Sequence, residues 1–118
     1  MLMPVVCLRP TAAPAHPLYI SRQVIREWLA TLNRSRTGLA LVDLIAEAQA
    51  FDAHFAILDD TATTTANLLA LLPQVSGMRV HDVNIVATMQ VGGVQRLLTN
   101  NPDHFASFSH LITVLPLV

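Results

Sequence analysis

Apolar residues recur at steps of three and four in the stretch that follows Ser21, which predicts a helix over residues 22–33 with one buried face. The residues of this stripe are Val24, Ile25, Trp28, Leu29 and Leu32. Ser21 is a favourable N-cap, because its hydroxyl oxygen accepts a backbone N–H that the first helical turn leaves unpaired. The helix is therefore expected to begin at Arg22, directly after the short apolar run Leu18–Ile20.

The rest of the chain alternates further helical patterns with short apolar runs. Helices are predicted over residues 39–50, 63–72 and 80–92, the last of them ending at Gly92-Gly93. Strands or buried segments are predicted over residues 54–58, 95–99 and 112–115. Asp59 and Asp60 precede the second of these helices and are interpreted as acids that stabilise its dipole. Short strands that alternate with helices are typical of an α/β fold with a parallel sheet.

The first 17 residues differ from the rest of the chain in composition, since they hold four prolines and no acid. Val5–Leu8 is apolar and predicts a short strand, but the flanking Pro4 and Pro10 restrict it to an edge or a loop. The chain is therefore divided into an atypical N-terminal segment, residues 1–17, and one domain, residues 18–118.

Composition adds one feature to this pattern, because the 118-residue chain is unusually apolar, with 53% hydrophobic and 13% charged residues. An average protein holds about 25% charged residues. Either the predicted elements are covered on both faces, or part of the surface is an interface.

The same composition argues against several classes of protein. No run of about 20 apolar residues occurs, so no membrane-spanning helix is predicted. The N-terminus lacks a basic segment ahead of its apolar residues, so a signal peptide is not expected. Cys7 is the only cysteine, which excludes an internal disulfide and fits the reducing cytoplasm.

The net charge of −1 gives no overall attraction to nucleic acid. All seven basic residues are nevertheless arginines, at positions 9, 22, 26, 34, 36, 79 and 96. Arginine binds phosphate through two hydrogen bonds at once, whereas lysine acts as a point charge. A genome base composition that favours arginine codons explains the same bias, and both interpretations stay open.

Asp82 stands at an unusual place, at the start of a run that otherwise reads as a buried helix. On a helix it lies one turn from Ile85 and Val86, along the apolar stripe. A lone carboxylate in such surroundings needs a cation, backbone donors or water, because desolvation disfavours its charge. The alternative is helix capping, in which an acid in the first turn accepts unpaired N–H groups.

Glu27 raises the same question within the helix after Ser21, directly before Trp28. Its functional interpretation competes with a solvated glutamate or one that is paired with Arg26 or Arg34. Cys7 and the five histidines show no spacing typical of metal ligands. His81 and His104 lie beside candidate acids and are interpreted as structural, as lone histidines near a turn usually are.

Asn101 and Asp103 follow a predicted strand. Polar groups at the carboxyl ends of parallel strands are where α/β folds bind ligands. The sequence Asn101-Pro102-Asp103 also suits a turn on its own account, so both interpretations stay open.

Taken together, these segments resemble the PIN-domain family, and most closely its VapC-like toxins. The resemblance is carried by YISRQVIRE (19–27), VHDVNIVATM (80–89), RLLTNNPDHF (96–105) and ITVLPL (112–117). They keep the order and the approximate spacing of the family from residue 18 to the end, and VHDVNIVATM is the most specific of them.

The resemblance implies a three-layer α/β domain in which helices flank a short parallel sheet. It also implies an endoribonuclease that holds Mg²⁺ or Mn²⁺ on carboxylates and cleaves RNA with metal-activated water, as hard cations and carboxylate oxygens allow. By this resemblance Glu27 and Asp82 are catalytic metal ligands. Asn101 falls where many members have a further acid, and Asp103 lies close to it. The arginines expected to contact phosphate are Arg22, Arg26 and Arg79.

The sequence departs from the family at its start. Members begin with a central strand that ends in an acid of the metal site, whereas no acid precedes Glu27 here. The resemblance therefore implies that the N-terminal strand is missing or replaced, that metal binding is weak and that activity is reduced. A misplaced start codon, with an in-frame Asp-x-Asn upstream, accounts for the same departure.

Two functions follow as expectations. The first is a toxin-type, metal-dependent ribonuclease in the cytoplasm, with an RNA substrate and a cognate antitoxin-type protein. The second is an inactive PIN remnant that serves as a protein-binding or dimerisation module through its apolar surface. A homodimer and the absence of membrane association are expected in both cases.

Overall fold

A computed structural model describes residues 5–8, 18–34, 38, 40–75, 77 and 79–116 of the chain. Within those residues, helices and strands alternate around one sheet. In chain order the elements are β1 (Val5–Leu8), β2 (Leu18–Ser21), α1 (Arg22–Arg34), α2 (Leu41–His54), β3 (Ala56–Leu58), α3 (Ala62–Leu71), α4 (Val80–Gly92), β4 (Arg96–Thr99) and β5 (Thr113–Pro116). Short 3₁₀ helices over Leu72–Gln74 and Pro102–Phe108 lie in the connections after α3 and β4.

The sheet is mixed, with the strand order β3-β2-β1-β4-β5. The outer pairs, β2 with β3 and β4 with β5, are parallel. The central strand β1 runs antiparallel to both of its neighbours. The α/β class is therefore confirmed, whereas the predicted parallel sheet is correct for the outer pairs and wrong at the centre.

β1 corrects a second prediction, since it is neither an edge strand nor a loop. Cys7 lies opposite Tyr19 on one side and opposite Leu97 on the other. The four residues of the strand, Val5–Leu8, include no proline, so each of them keeps the N–H group that a central ladder requires. The N-terminal segment thus supplies the middle of the sheet, in the direction opposite to that of a parallel strand.

Helix α1 forms as its local sequence predicts and extends one residue further, to Arg34. The Oγ atom of Ser21 accepts a hydrogen bond from the N–H of Val24 at 3.2 Å. Val24 and Leu32 are buried on the predicted stripe. The capped start of α1 follows directly after β2, which fixes the beginning of this helix at the carboxyl end of that strand.

Helix α2 begins and ends later than predicted, and His54 belongs to it rather than to the following strand. Phe51 continues the apolar stripe and packs edge-on against Trp28 of α1, with ring centroids 5.0 Å apart. Helix α3 begins after Thr61, whose hydroxyl and that of Thr64 each accept the other's backbone N–H. This reciprocal cap satisfies backbone N–H groups at the start of the helix, and the effect of Asp59 and Asp60 on the helix dipole stays a prediction.

Helix α4 is the most deeply buried helix of the described residues. Val83, Val86, Ala87 and Met89 are all fully buried along its length. The helix ends at Gly92. The next residue, Gly93, has a left-handed φ of 69°, a conformation that glycine commonly adopts directly after a helix. The core around it is completed by other buried apolar side chains, among them Ile20, Val24, Leu97, Phe105, Phe108 and Ile112. The burial places the first turn of α4, with Asp82, at the margin of the core.

Part of the apolar excess is exposed on α2. Leu41, Val42 and Ile45 have between 45% and 70% of their surface in solvent. Residues 85–89 of α4 are all buried, as the first explanation for the composition requires, and the exposed apolar face of α2 is a surface of the kind that the second explanation requires. None of the helices in the described part of the chain has the length and hydropathy needed to cross a bilayer.

Candidate active-site cleft

A cleft of about 670 Å³ lies between α1, the start of α4 and the segment that follows β4. This volume is within the range of about 300–1,000 Å³ that is usual for ligand pockets. Its lining residues are Glu27, Thr31, Arg79, Val80, His81, Asp82, Ile85, Thr99, Asn101, His104 and Phe105. The cleft brings together three segments that are far apart in the sequence.

Glu27 and Asp82 both line this cleft, one from α1 and the other from α4. Their convergence depends on the fold, because α1 leaves the sheet after β2 and α4 crosses the core before β4. Asn101 lines the same cleft from the strand end beyond β4. Three of the four predicted metal ligands therefore share one space.

Glu27 is half-buried, and one of its carboxylate oxygens, Oε1, lies 3.4 Å from the Nε2 donor of Gln23. The neighbouring Arg26 pairs instead with Asp60, at 3.6 Å between Nη2 and Oδ2. The alternative of a Glu27–Arg26 pair is therefore wrong, and the side chain of Arg34 lies outside the described residues. Glu27 thus lines the cleft with its Oε1 atom held near an amide donor and with no arginine partner among the described residues.

Asp82 is the third residue of α4, and 28% of its side chain is exposed. Its Oδ2 atom lies 3.5 Å from Nδ1 of His104. The N-cap residue, Arg79, makes no side-chain capping hydrogen bond. A carboxylate in the first turn of a helix is favoured by the helix dipole, so the position suits Asp82 electrostatically while its side chain contacts another element.

Asn101 combines the two interpretations that its sequence left open. Its backbone N–H donates to Oγ1 of Thr99 at 3.1 Å, and its carbonyl oxygen accepts the N–H of His104 at 3.0 Å. The residue thus shapes the turn and also lines the cleft. Asp103 does not line the cleft. It lines an adjoining recess of about 240 Å³, which shares Arg79, Asp82 and His104 with the cleft.

The three arginines that were expected to contact phosphate are placed differently. Arg22 binds Asp59 at 2.8 Å, and Arg26 lies 3.6 Å from Asp60, both on the surface. Neither arginine lines the cleft, whereas Arg79 does and donates from Nη1 to the His104 carbonyl oxygen at 3.4 Å. Exposed ion pairs contribute little to stability, so these two pairs show only that both arginines have acidic partners outside the cleft.

Sequence reasoning missed several polar residues of this region. Thr31 lines the cleft one helical turn after Glu27, a spacing that the sequence does show. His104 was interpreted as structural, although it contacts Asp82. Gln23 and Asn84, which are hydrogen-bonded to each other at 2.7 Å, gave no signal because their partners lie on different helices.

The cleft offers oxygen ligands, although few of them carry charge. Among the described residues, no three His, Cys, Asp or Glu side chains form a group that could hold a metal ion. Val5, at the amino end of β1, pairs with Thr99, which lines the cleft. The carboxyl end of β1 therefore lies at the other end of the strands, away from the cleft residue Thr99. Mg²⁺ is often held by one or two carboxylates together with waters and substrate phosphates. Glu27, Asp82 and Asn101 line the cleft together, and their oxygens are of the type that this shared mode of binding uses.

Comparison with known proteins adds no family assignment. No protein-family model matches the chain, and no curated protein matches it significantly.

Proposed function

We propose that the chain is a PIN-like, metal-dependent endoribonuclease of the toxin–antitoxin type, with reduced activity, that acts on RNA in the cytoplasm. The observation that carries the proposal is the convergence of Glu27 and Asp82 in one cleft, with Asn101 beside them. The resemblance of residues 19–27, 80–89 and 96–105 to PIN domains supports it. An antitoxin-type partner and a homodimer belong to the same proposal.

Glu27 and Asp82 would hold Mg²⁺ or Mn²⁺ through their carboxylates, and Asn101 would add an amide oxygen. When bound, the cation lowers the pKa of a coordinated water and neutralises phosphate charge. Two carboxylates supply less charge than a complete acidic site, so we expect weak metal binding that strengthens when a substrate phosphate is present.

Arg79 orients the phosphodiester in this proposal. It lies at the N-cap of α4, where backbone N–H groups and the positive end of the helix dipole attract anions. Among the described residues, Arg79 is the arginine that lines the cleft. A phosphate bound there would share the cleft with both carboxylates and would supply further oxygen ligands for a cation.

The test is cleavage of an end-labelled RNA in millimolar Mn²⁺. We expect fragments that end in linear phosphates and that disappear when the metal is chelated, because water rather than the RNA 2′-hydroxyl attacks phosphorus. A substrate with a single 2′-deoxynucleotide at the cleaved position is the control, and it should still be cut. Products with 2′,3′-cyclic phosphate ends, or no metal-dependent cleavage, would contradict the proposal.

Replacing Arg79 by alanine is expected to weaken RNA binding about tenfold and to lower the salt dependence of binding by about one phosphate contact. Fluorescence anisotropy of labelled RNA, measured over a range of salt concentrations without metal, gives both quantities. Arg22→Ala is the matched control, since Arg22 binds Asp59 outside the cleft. Equal losses of RNA affinity in the two variants would show that Arg79 has no special role in binding phosphate.

A protein-binding or dimerisation module without catalytic activity is the second candidate. The exposed apolar face of α2 favours it, because contiguous apolar surface of this kind marks interaction sites. In that function the face would bind an antitoxin-type protein or a second copy of the chain. The cleavage experiment separates the two, since the module predicts neither RNA cleavage nor Mn²⁺ binding.

A further inference from the structure

Gln23 is a buried polar residue beside the cleft, with only 4% of its surface exposed. It lies in the first turn of α1, one turn before Glu27. A buried amide group is costly unless its donors and its acceptor are hydrogen-bonded. The partners of Gln23 therefore show why a polar side chain is retained there.

The amide of Gln23 connects α1 to α4. Its Nε2 atom donates to the backbone oxygen of His81 at 2.7 Å and lies 3.4 Å from Oε1 of Glu27. Its Oε1 atom accepts a hydrogen bond from Nδ2 of Asn84 at 2.7 Å. Gln23 thus contacts one cleft carboxylate directly and the helical turn that carries the other.

Asn84 extends the connection to a third element. Its Nδ2 atom also donates to Oδ2 of Asp60 at 3.2 Å. Asp60, which precedes α3, lies 3.6 Å from Nη2 of Arg26. Both side-chain N–H groups of each amide therefore have acceptors. These partners determine which way the oxygen and the nitrogen of each amide point.

We propose that Gln23 and Asn84 form an amide clasp that sets the separation between Glu27 and Asp82, and that they are positioning residues for the cation that these two acids would hold. The inference rests on the proposed function. The His81 carbonyl that the clasp holds belongs to the residue directly before Asp82. The clasp fixes the first turn of α4 against α1 before any metal binds, which supplies the preorganisation that a sparse ligand set requires.

Hydrogen exchange in the metal-free protein tests the clasp independently of activity. In Gln23→Met, a substitution of similar length, we expect the amide of Val83 to exchange about tenfold faster, which corresponds to one lost hydrogen bond. This amide donates to the Arg79 carbonyl in the first turn of α4. Met89, fully buried further along the same helix, should keep its protection. Gln49→Met, on the exposed surface of α2, is the matched control.

Mn²⁺ titration by electron paramagnetic resonance tests the positioning role. We expect Gln23→Met to raise the Mn²⁺ dissociation constant about tenfold, as loss of an outer contact to a metal ligand does. Asn84→Ala, at a half-buried position that tolerates truncation better, should raise it in the same direction. The double variant should have the same Mn²⁺ dissociation constant as Gln23→Met alone, because the effects of residues that act as one unit are not additive.

Unchanged exchange of Val83 in both variants would overturn the clasp. Faster exchange with an unchanged Mn²⁺ dissociation constant would overturn its positioning role. If the wild-type chain binds no Mn²⁺, the proposed function fails, and the exchange of Val83 alone then decides whether the clasp fixes the two helices.

Discussion

Replacing either cleft carboxylate by its amide, in Glu27→Gln or Asp82→Asn, is expected to lower Mn²⁺-dependent RNA cleavage by more than about 100-fold. Substitutions of outer residues around a metal cost about 10–100-fold, and loss of a direct ligand should exceed that range. Each substitution keeps the shape of the side chain and removes one negative charge, so the fold is expected to persist. Asp82→Asn also removes the carboxylate that lies 3.5 Å from Nδ1 of His104.

Single-turnover cleavage rates measured at saturating Mn²⁺ provide the readout for these variants, with thermal unfolding as the check on the fold. Glu47→Gln is the matched control, because Glu47 is an exposed acid on α2 that lies outside the cleft. Its rate should stay within about twofold of the wild-type rate, as surface substitutions away from a site usually have small effects. Wild-type rates in Glu27→Gln and Asp82→Asn would remove both residues from the proposed mechanism.

Replacing Cys7 by proline is expected to lower the free energy of unfolding by at least about 3 kcal/mol, the range of severe backbone substitutions. Cys7 is paired on both sides, with Tyr19 and with Leu97. Proline removes the N–H of this residue and leaves an acceptor unpaired on a neighbouring strand. An edge strand or a loop, as its flanking prolines predict, would tolerate the change.

Denaturant unfolding, followed by circular dichroism, measures the effect of this substitution. Cys7→Ala separates the loss of the thiol from the change in the backbone. Leu41→Pro is the second control, because Leu41 is the first residue of α2 and Ala40 before it is already extended, with φ −70° and ψ 146°. Losses of similar size in Cys7→Pro and Leu41→Pro would show that β1 does not lie at the centre of the sheet.

The helices could be predicted because their signals are local. Ser21 caps α1 through the N–H of Val24, three residues away, and Gly93 ends α4 in a left-handed conformation. Both signals lie within a few residues of the boundary that they set. Helix α2 was predicted too short because Phe51 is stabilised by Trp28, a contact with another helix that its own sequence does not show.

The position of β1 could not be predicted from its neighbours in the sequence. Pro4 and Pro10 argue against a central strand only if they lie within the paired residues, and the pairing is decided by β2 and β4. The direction of β1 also depends on distant residues, because a four-residue apolar run can pair with a parallel or an antiparallel neighbour. The sheet is therefore mixed where the alternation of elements predicted a parallel one.

The candidate site was predictable for its acids and not for their partners. Glu27 and Asp82 drew attention because each carboxylate lies next to apolar residues, a feature visible in the sequence. His104 and Gln23 acquire their roles from Asp82 and His81, which lie on another segment of the fold. A residue whose importance comes only from tertiary contacts leaves no pattern in its own neighbourhood.

The central strand also constrains the order in which the protein can assemble during synthesis. Val5 pairs with Thr99, so β1 leaves the ribosome long before its partner β4. Until β4 has been made, the edge of β1 that will pair with it has no partner, and unpaired edges of this kind are prone to association with other chains. Closure of the sheet is thus a late, long-range step in the biogenesis of this protein, and the nascent chain is most exposed to aggregation just before it.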